Sequence, residues 1–213
     1  MSTPERLLHF EDSFCGHLQI IYVVLSCTYM YRINKPQNKT NILLKQDKPL
    51  FYTKDLGKLW GLSNSATLNT TISRYVTNGV LVPVYKGLYS TKPLNQVDQI
   101  LLGSVALHSY SYLSTEFVLA KNGIIFQLVN SYSYCSTKNR TIKINENVFK
   151  SRQLQDVFLY NTSGVERING YQVATTERAI ADMMYYNPKY YFDSYDTIDW
   201  KKVQKVQKEV GYI

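Results

Sequence analysis

Cysteine is scarce in this 213-residue chain, and the three present, Cys15, Cys27 and Cys135, are an odd number with no C-x-x-C pair. A disulfide framework and a zinc knuckle are thereby excluded, and a reducing cytoplasm is the expected compartment. His9, Cys15, His17 and Cys27 lie close in sequence, but their spacing matches no standard zinc pattern. A membrane-length apolar run is also missing: residues 18–31 are strongly apolar, yet these 14 residues fall short of the ~20 that cross a bilayer. A secretory signal needs a basic start, whereas Arg6 is outweighed by Glu5, Glu11 and Asp12. No glycine-rich phosphate-cradling loop, low-complexity tract or solenoid-period repeat occurs. With 45 % hydrophobic and 19 % charged residues, the composition is that of a folded chain rather than a disordered one.

Acidic residues are the other shortage: 16 against 24 basic ones give a net charge of +8. Between Arg32 and Thr91, nine basic residues face only Asp47 and Asp55, whereas after residue 91 the counts are 14 and 11. The excess is concentrated in one third of the chain. Clustered Lys and Arg favour a polyanion partner through counterion release, although a solvated basic surface gives the same count.

Groups for catalysis are equally thin. A metal-dependent nuclease needs carboxylates and a lysine on neighbouring strands, and the single acid-x-Lys match, Asp199-Trp200-Lys201, falls at a helix start, where the Asp serves as a cap. Glu177 and Asp182 are five apart on one helix and point in different directions. His108 and Ser109 are adjacent and cannot face each other as base and nucleophile. No enzyme, cofactor or metal is expected.

What is present is a stretch, residues 51–91, with the pattern of a winged helix-turn-helix. Its first helix is expected after Thr53, whose hydroxyl is read as the cap, with Leu56, Leu59 and Trp60 on one face. Gly61-Leu62-Ser63-Asn64 supplies the turn. The second helix, Ser65 to Thr77, puts Leu68, Ile72, Tyr75 and Val76 on a core face, which turns Thr67, Thr70, Ser73, Arg74 and Thr77 outward. An outward face of hydroxyls and one guanidinium, without acids, suits base edges and phosphates in a major groove. Asn78-Gly79 ends the helix, and two strands over 80–84 and 88–90 flank a Tyr85-Lys86-Gly87 tip, which reads as a wing on the phosphate backbone. Pro83 has no amide donor and belongs on an edge or a bulge. The expected duplex contacts are Lys54, Ser63, Asn64, Ser65, Thr67, Thr70, Ser73, Arg74, Tyr85 and Lys86. Residues 40–46 are expected to supply a further short helix ahead of this unit.

The expected fold class is α+β, in three parts. Residues 1–31 form an extension, with Met30 read as the natural start or, alternatively, the stretch read as a buried strand or helix packing on the next unit; 32–93 form the winged helix-turn-helix; 94–213 form a mixed α+β domain, with the boundary at Lys92-Pro93. Within the last part, helices are expected over 97–107, 114–122, 176–186 and 200–210, and strands over 124–126, 132–136, 141–144, 157–160 and 171–174. Of the 19 tyrosines, Tyr185, Tyr186, Tyr190, Tyr191 and Tyr195 crowd near Phe192 and Trp200, either as core with hydroxyls at the rim or as a partner surface.

Four segments, FYTKDLGKLWGLS, ISRYVTNGVLVPVYKGLYS, YLSTEFVLAKNGI and VATTERAIADMM, give the chain a layout that resembles the AbiEi family of type IV abortive-infection antitoxins. The resemblance spans residues 40–184, while the N-terminal extension departs from it. It implies a winged helix that represses its own operon by binding promoter inverted repeats in double-stranded DNA; weak self-association on that DNA is a separate expectation. It also implies a C-terminal antitoxin domain opposing a nucleotidyltransferase-like toxin; no membrane partner is expected, from the shortness of the apolar run at 18–31. Two other readings stay open at this point: a nuclease whose winged helix delivers substrate, and a winged-helix protein-interaction module.

Overall fold

A computed structural model describes residues 38–213. The apolar stretch 18–31, the cluster His9, Cys15, His17 and Cys27, and the Met30 start lie outside the described residues. The described part is mixed α+β with two sheets. Residues 46–213 make one compact unit; Asn38–Lys45 belong to a separate N-terminal unit and hold helix α1 (Lys39–Leu44), capped by the Asn38 side chain on the Thr40 N–H.

Strand β1 (Leu50–Tyr52) leads into helices α2 (Thr53–Trp60) and α3 (Ser65–Thr77), and then into strands β2 (Val82–Tyr85) and β3 (Leu88–Ser90). The three strands form an antiparallel sheet in the order β1-β3-β2. A 3₁₀ turn (Leu94–Gln96) and helix α4 (Gln99–Ala106) follow, with Asp98 capping α4 through the Ile100 and Leu101 N–H groups. Next come β4 (Ser111–Leu113), α5 (Thr115–Lys121), β5 (Ser131–Ser136), β6 (Arg140–Ile144), β7 (Asn147–Gln153), α6 (Asp156–Leu159), β8 (Val165–Ile168), β9 (Tyr171–Ala174), α7 (Thr176–Tyr186) and α8 (Trp200–Val210). The strands form a six-stranded sheet, β6-β7-β5-β4-β9-β8, in which β5 and β7, and β4 and β9, run parallel and the other pairs antiparallel.

Alternation along β5 decides which helices cover which face. Tyr134 points to α4, its hydroxyl donating to the Ile100 carbonyl (2.9 Å), while Cys135 points to Asp182 on α7. Helix α4 therefore covers one face, and α5, α7 and α8 pack together on the other. Helix α4 comes close because Gly103 has no side chain: a Cβ there would stand 2.3 Å from the Phe149 ring and 2.5 Å from the Tyr134 hydroxyl. One hydrophobic cluster runs from Leu50 and Leu88 of the small sheet through Leu102, Phe149 and Ile180 to Val203. No helix among the described residues is long and apolar enough to cross a membrane.

Two expected strands are corrected. Residues 157–160 lie mainly in helix α6, with Val157 68 % and Tyr160 54 % exposed, because four apolar residues read alike as a strand or one helical turn. Residues 124–126 are irregular: Ile124 and Ile125 are buried without pairing, and Phe126 is 75 % exposed. Strands β4, β7 and β8 lack a recognisable signal; in β7 the buried positions are Phe149 and the polar Ser151, and Val148 falls on the other face, so the apolar alternation is diluted.

Candidate nucleic-acid interface

Helix α2 starts where β1 ends. The expected Thr53 cap is corrected: the Asp55 carboxylate accepts the Tyr52 N–H (3.3 Å), and Thr53 donates both its N–H (2.9 Å) and its hydroxyl (3.2 Å) to the Gly87 carbonyl. Pairing of Tyr52 with Leu88 places Thr53 beside the hairpin tip, so its side chain ties helix to hairpin instead of capping. Gly61 closes α2 in the left-handed conformation (φ 65°), which costs a glycine nothing. Asn64 caps α3, its Oδ1 accepting from the Ala66 (2.9 Å) and Thr67 (3.1 Å) N–H groups.

Leu68 and Ile72 of α3 are buried with Leu56 of α2, and Trp60 and Tyr75 bring their rings to 4.9 Å between the two helices. This packing turns the opposite side of α3 outward: Ser65, Thr67, Thr70, Ser73, Arg74 and Thr77 are all exposed, with no acid among them. Thr70 and Thr77 donate their hydroxyl hydrogens to the carbonyls one turn back, Ala66 (3.0 Å) and Ser73 (3.1 Å), which leaves their oxygens outward as acceptors until the hydroxyls rotate. Arg74 makes no ion pair among the described residues. Ser63 is exposed in the turn, whereas the side-chain oxygen of Asn64 is engaged in capping.

Pro83 sits on β2, an edge strand, and the register shifts between Pro83 and Tyr85. Exposed Lys86 stands over the Tyr85 ring at 5.7 Å from its centroid. Lys54, Tyr85 and Lys86 gather on a cleft apart from the α3 face, together with Lys58, His108 and Arg140.

A second cluster went unread in the sequence. Arg178 and Asp182 of α7 are fully buried and paired, Nε to Oδ1 at 2.8 Å. Asp182 also accepts from the hydroxyls of Tyr112 (3.0 Å), Ser114 (2.7 Å) and Tyr212 (2.5 Å), while Arg178 donates to the carbonyls of Phe158 and Ser163 (2.9 Å each). Burial opposes the Arg178 charge, but Asp182, Tyr112 and Tyr212 together raise its pKa above the ordinary guanidinium value. Burial and the Asp182 charge push the Cys135 thiol well above its usual range, so it is held as the un-ionised, unreactive form. Every polar atom of the pair is engaged, which makes the cluster a structural knot. The signal for it was an i, i+4 Arg–Asp pair set among Ala179, Ile180 and Ala181.

The aromatic crowd near the C-terminal end divides. Phe192 is buried and Tyr185, Tyr186, Tyr190 and Trp200 pack on the core, while Tyr191 (74 %) and Tyr195 (56 %) are exposed. Asp199 caps α8 on the Lys202 N–H (3.2 Å). No protein-family model matches this chain, and no curated protein matches it.

Proposed function

We propose that this chain is a sequence-specific transcriptional repressor that binds double-stranded DNA through a winged helix-turn-helix and serves as the antitoxin of a type IV toxin–antitoxin pair. One observation carries the DNA reading: α3 buries Leu68 and Ile72 and presents an outward face of Thr67, Thr70, Ser73, Arg74 and Thr77, free of acids, between a short turn and a basic hairpin tip. A solvated helix face ordinarily carries Glu and Lys; hydroxyls and a guanidinium are the groups that pair with base edges and phosphates. Lys54 at the start of α2 and Lys86 at the hairpin tip supply further cations for the backbone. The antitoxin half rests on the four segments that resemble the AbiEi family.

Fluorescence anisotropy with DNA from the region upstream of the chain's own gene tests the first half. Arg74→Ala is expected to weaken binding by ~1–3 kcal/mol and to relax preference at one base position, as for a guanidinium reading a guanine. An equal loss on every sequence assigns Arg74 to a phosphate instead. Lys86→Ala is expected to reduce the slope of log K against log salt by about one. Absence of duplex binding at low salt defeats the reading. For the second half, co-expression with a neighbouring nucleotidyltransferase-like toxin is expected to restore growth, and continued arrest removes the antitoxin assignment.

A further inference from the structure

Separate from the α3 face, a cleft of about 560 Å³ lies where the start of α2, the β2–β3 tip, the end of α4 and the start of β6 converge. Small-molecule sites commonly have about 300–1,000 Å³. Lys54, Lys58, Lys86 and Arg140 line it, and none of the four makes an ion pair among the described residues. The one carboxylate on the cleft, Asp55, is already engaged, accepting the Tyr52 N–H and pairing with Lys48 Nζ at 3.6 Å. Such unneutralised convergence favours an anionic group.

The cleft also has an aromatic, fixed part of its wall. The Tyr52 hydroxyl donates to the Val105 carbonyl (2.5 Å), pinning the ring to the end of α4. The His108 ring meets it edge-on, with centroids 4.3 Å apart. His108 follows α4 in the left-handed conformation (φ 53°), where glycine is the usual occupant, and that backbone carries its ring to the wall. Burial raises the Tyr52 phenol to about 12, against an opposing pull from Arg140, so that phenol stays un-ionised at neutral pH. Arg140 donates to the Leu107 carbonyl (3.0 Å), which fixes its position beside His108.

We propose that this cleft binds a free nucleotide, with the phosphates against Lys54, Lys58, Lys86 and Arg140 and the base against the Tyr52–His108 wall. Four cations without a carboxylate partner favour phosphate, and the aromatic rings of Tyr52 and His108 on the same cleft favour a planar ring. Lys54 and Lys86 also belong to the proposed DNA face, so a bound nucleotide weakens operator binding; that consequence alone rests on the DNA reading.

Isothermal titration calorimetry of the intact, DNA-free protein with ADP, and separately with inorganic phosphate, tests the site without reference to DNA. Saturable binding of ADP is expected, with inorganic phosphate weaker by about ten-fold or more. Lys58→Ala with Arg140→Ala is expected to weaken ADP by about ten-fold or more, while Lys201→Ala with Lys208→Ala on α8 leaves it unchanged. His108→Ala is expected to weaken ADP but not phosphate. Should the double variant fail to fold, the comparison of ADP with phosphate on the unaltered chain decides alone. The proposal is overturned if ADP does not saturate in the millimolar range or if phosphate binds as tightly as ADP. It is equally overturned if a single-stranded oligonucleotide binds through Lys58 and Arg140 while ADP does not.

Discussion

Replacing Asp182 with alanine is expected to lower the free energy of unfolding by about 3–5 kcal/mol, read from urea denaturation, because it strands a buried charge. Arg178 is fully buried, and Asp182 is its only ionic partner among the described residues. Loss of the carboxylate also leaves the hydroxyls of Ser114 and Tyr212 without their acceptor. Removing both charges together, as Arg178→Leu with Asp182→Leu, is expected to recover part of the loss, since the uncompensated charge then disappears. A single Asp182→Ala variant as stable as the parent would show that the cluster does not hold this half of the chain together.

Phe149→Ala is expected to cost about 3–5 kcal/mol by the same measurement, the loss typical of a large aromatic removed from a packed core. Phe149 is wholly buried, pairs with Ile142 of β6 and Tyr132 of β5, and stacks on the Tyr132 ring at 5.2 Å. Its ring occupies the space that Gly103 leaves open, so Gly103→Ala in the parent is expected to cost about 1–3 kcal/mol through overpacking. In the Phe149→Ala background that second cost should shrink markedly, leaving the Tyr134 hydroxyl as the remaining obstacle. Additive losses in this double-mutant cycle would mean that the helix and the strand do not meet at this point.

Legibility in the sequence followed the range of the forces involved. Helix α3 was readable because Leu68 and Ile72 are one turn apart and Asn64 caps locally, signals that need no distant partner. The ends of α7 and α8 were readable for the same reason, through Thr175 and Asp199. Strand β7 was not, since its placement between β5 and β6 comes from pairing at long range rather than from its own alternation. Arg178 and Asp182 resemble a surface pair until the tertiary fold closes Tyr112 and Tyr212 over them. The cleft is the extreme case: Tyr52, Lys86, His108 and Arg140 come from four separate stretches, and nothing local announces that they share a wall.

The proline on β2 bears on how two copies can stand side by side. An unpaired strand invites a second chain to zip alongside it, but Pro83 removes one donor from the outer border of the small sheet and the adjoining slip in register breaks the ladder's rhythm. That border is therefore a poor template for the hairpin of a second copy. Contact between two copies along this border has to pass through side chains instead.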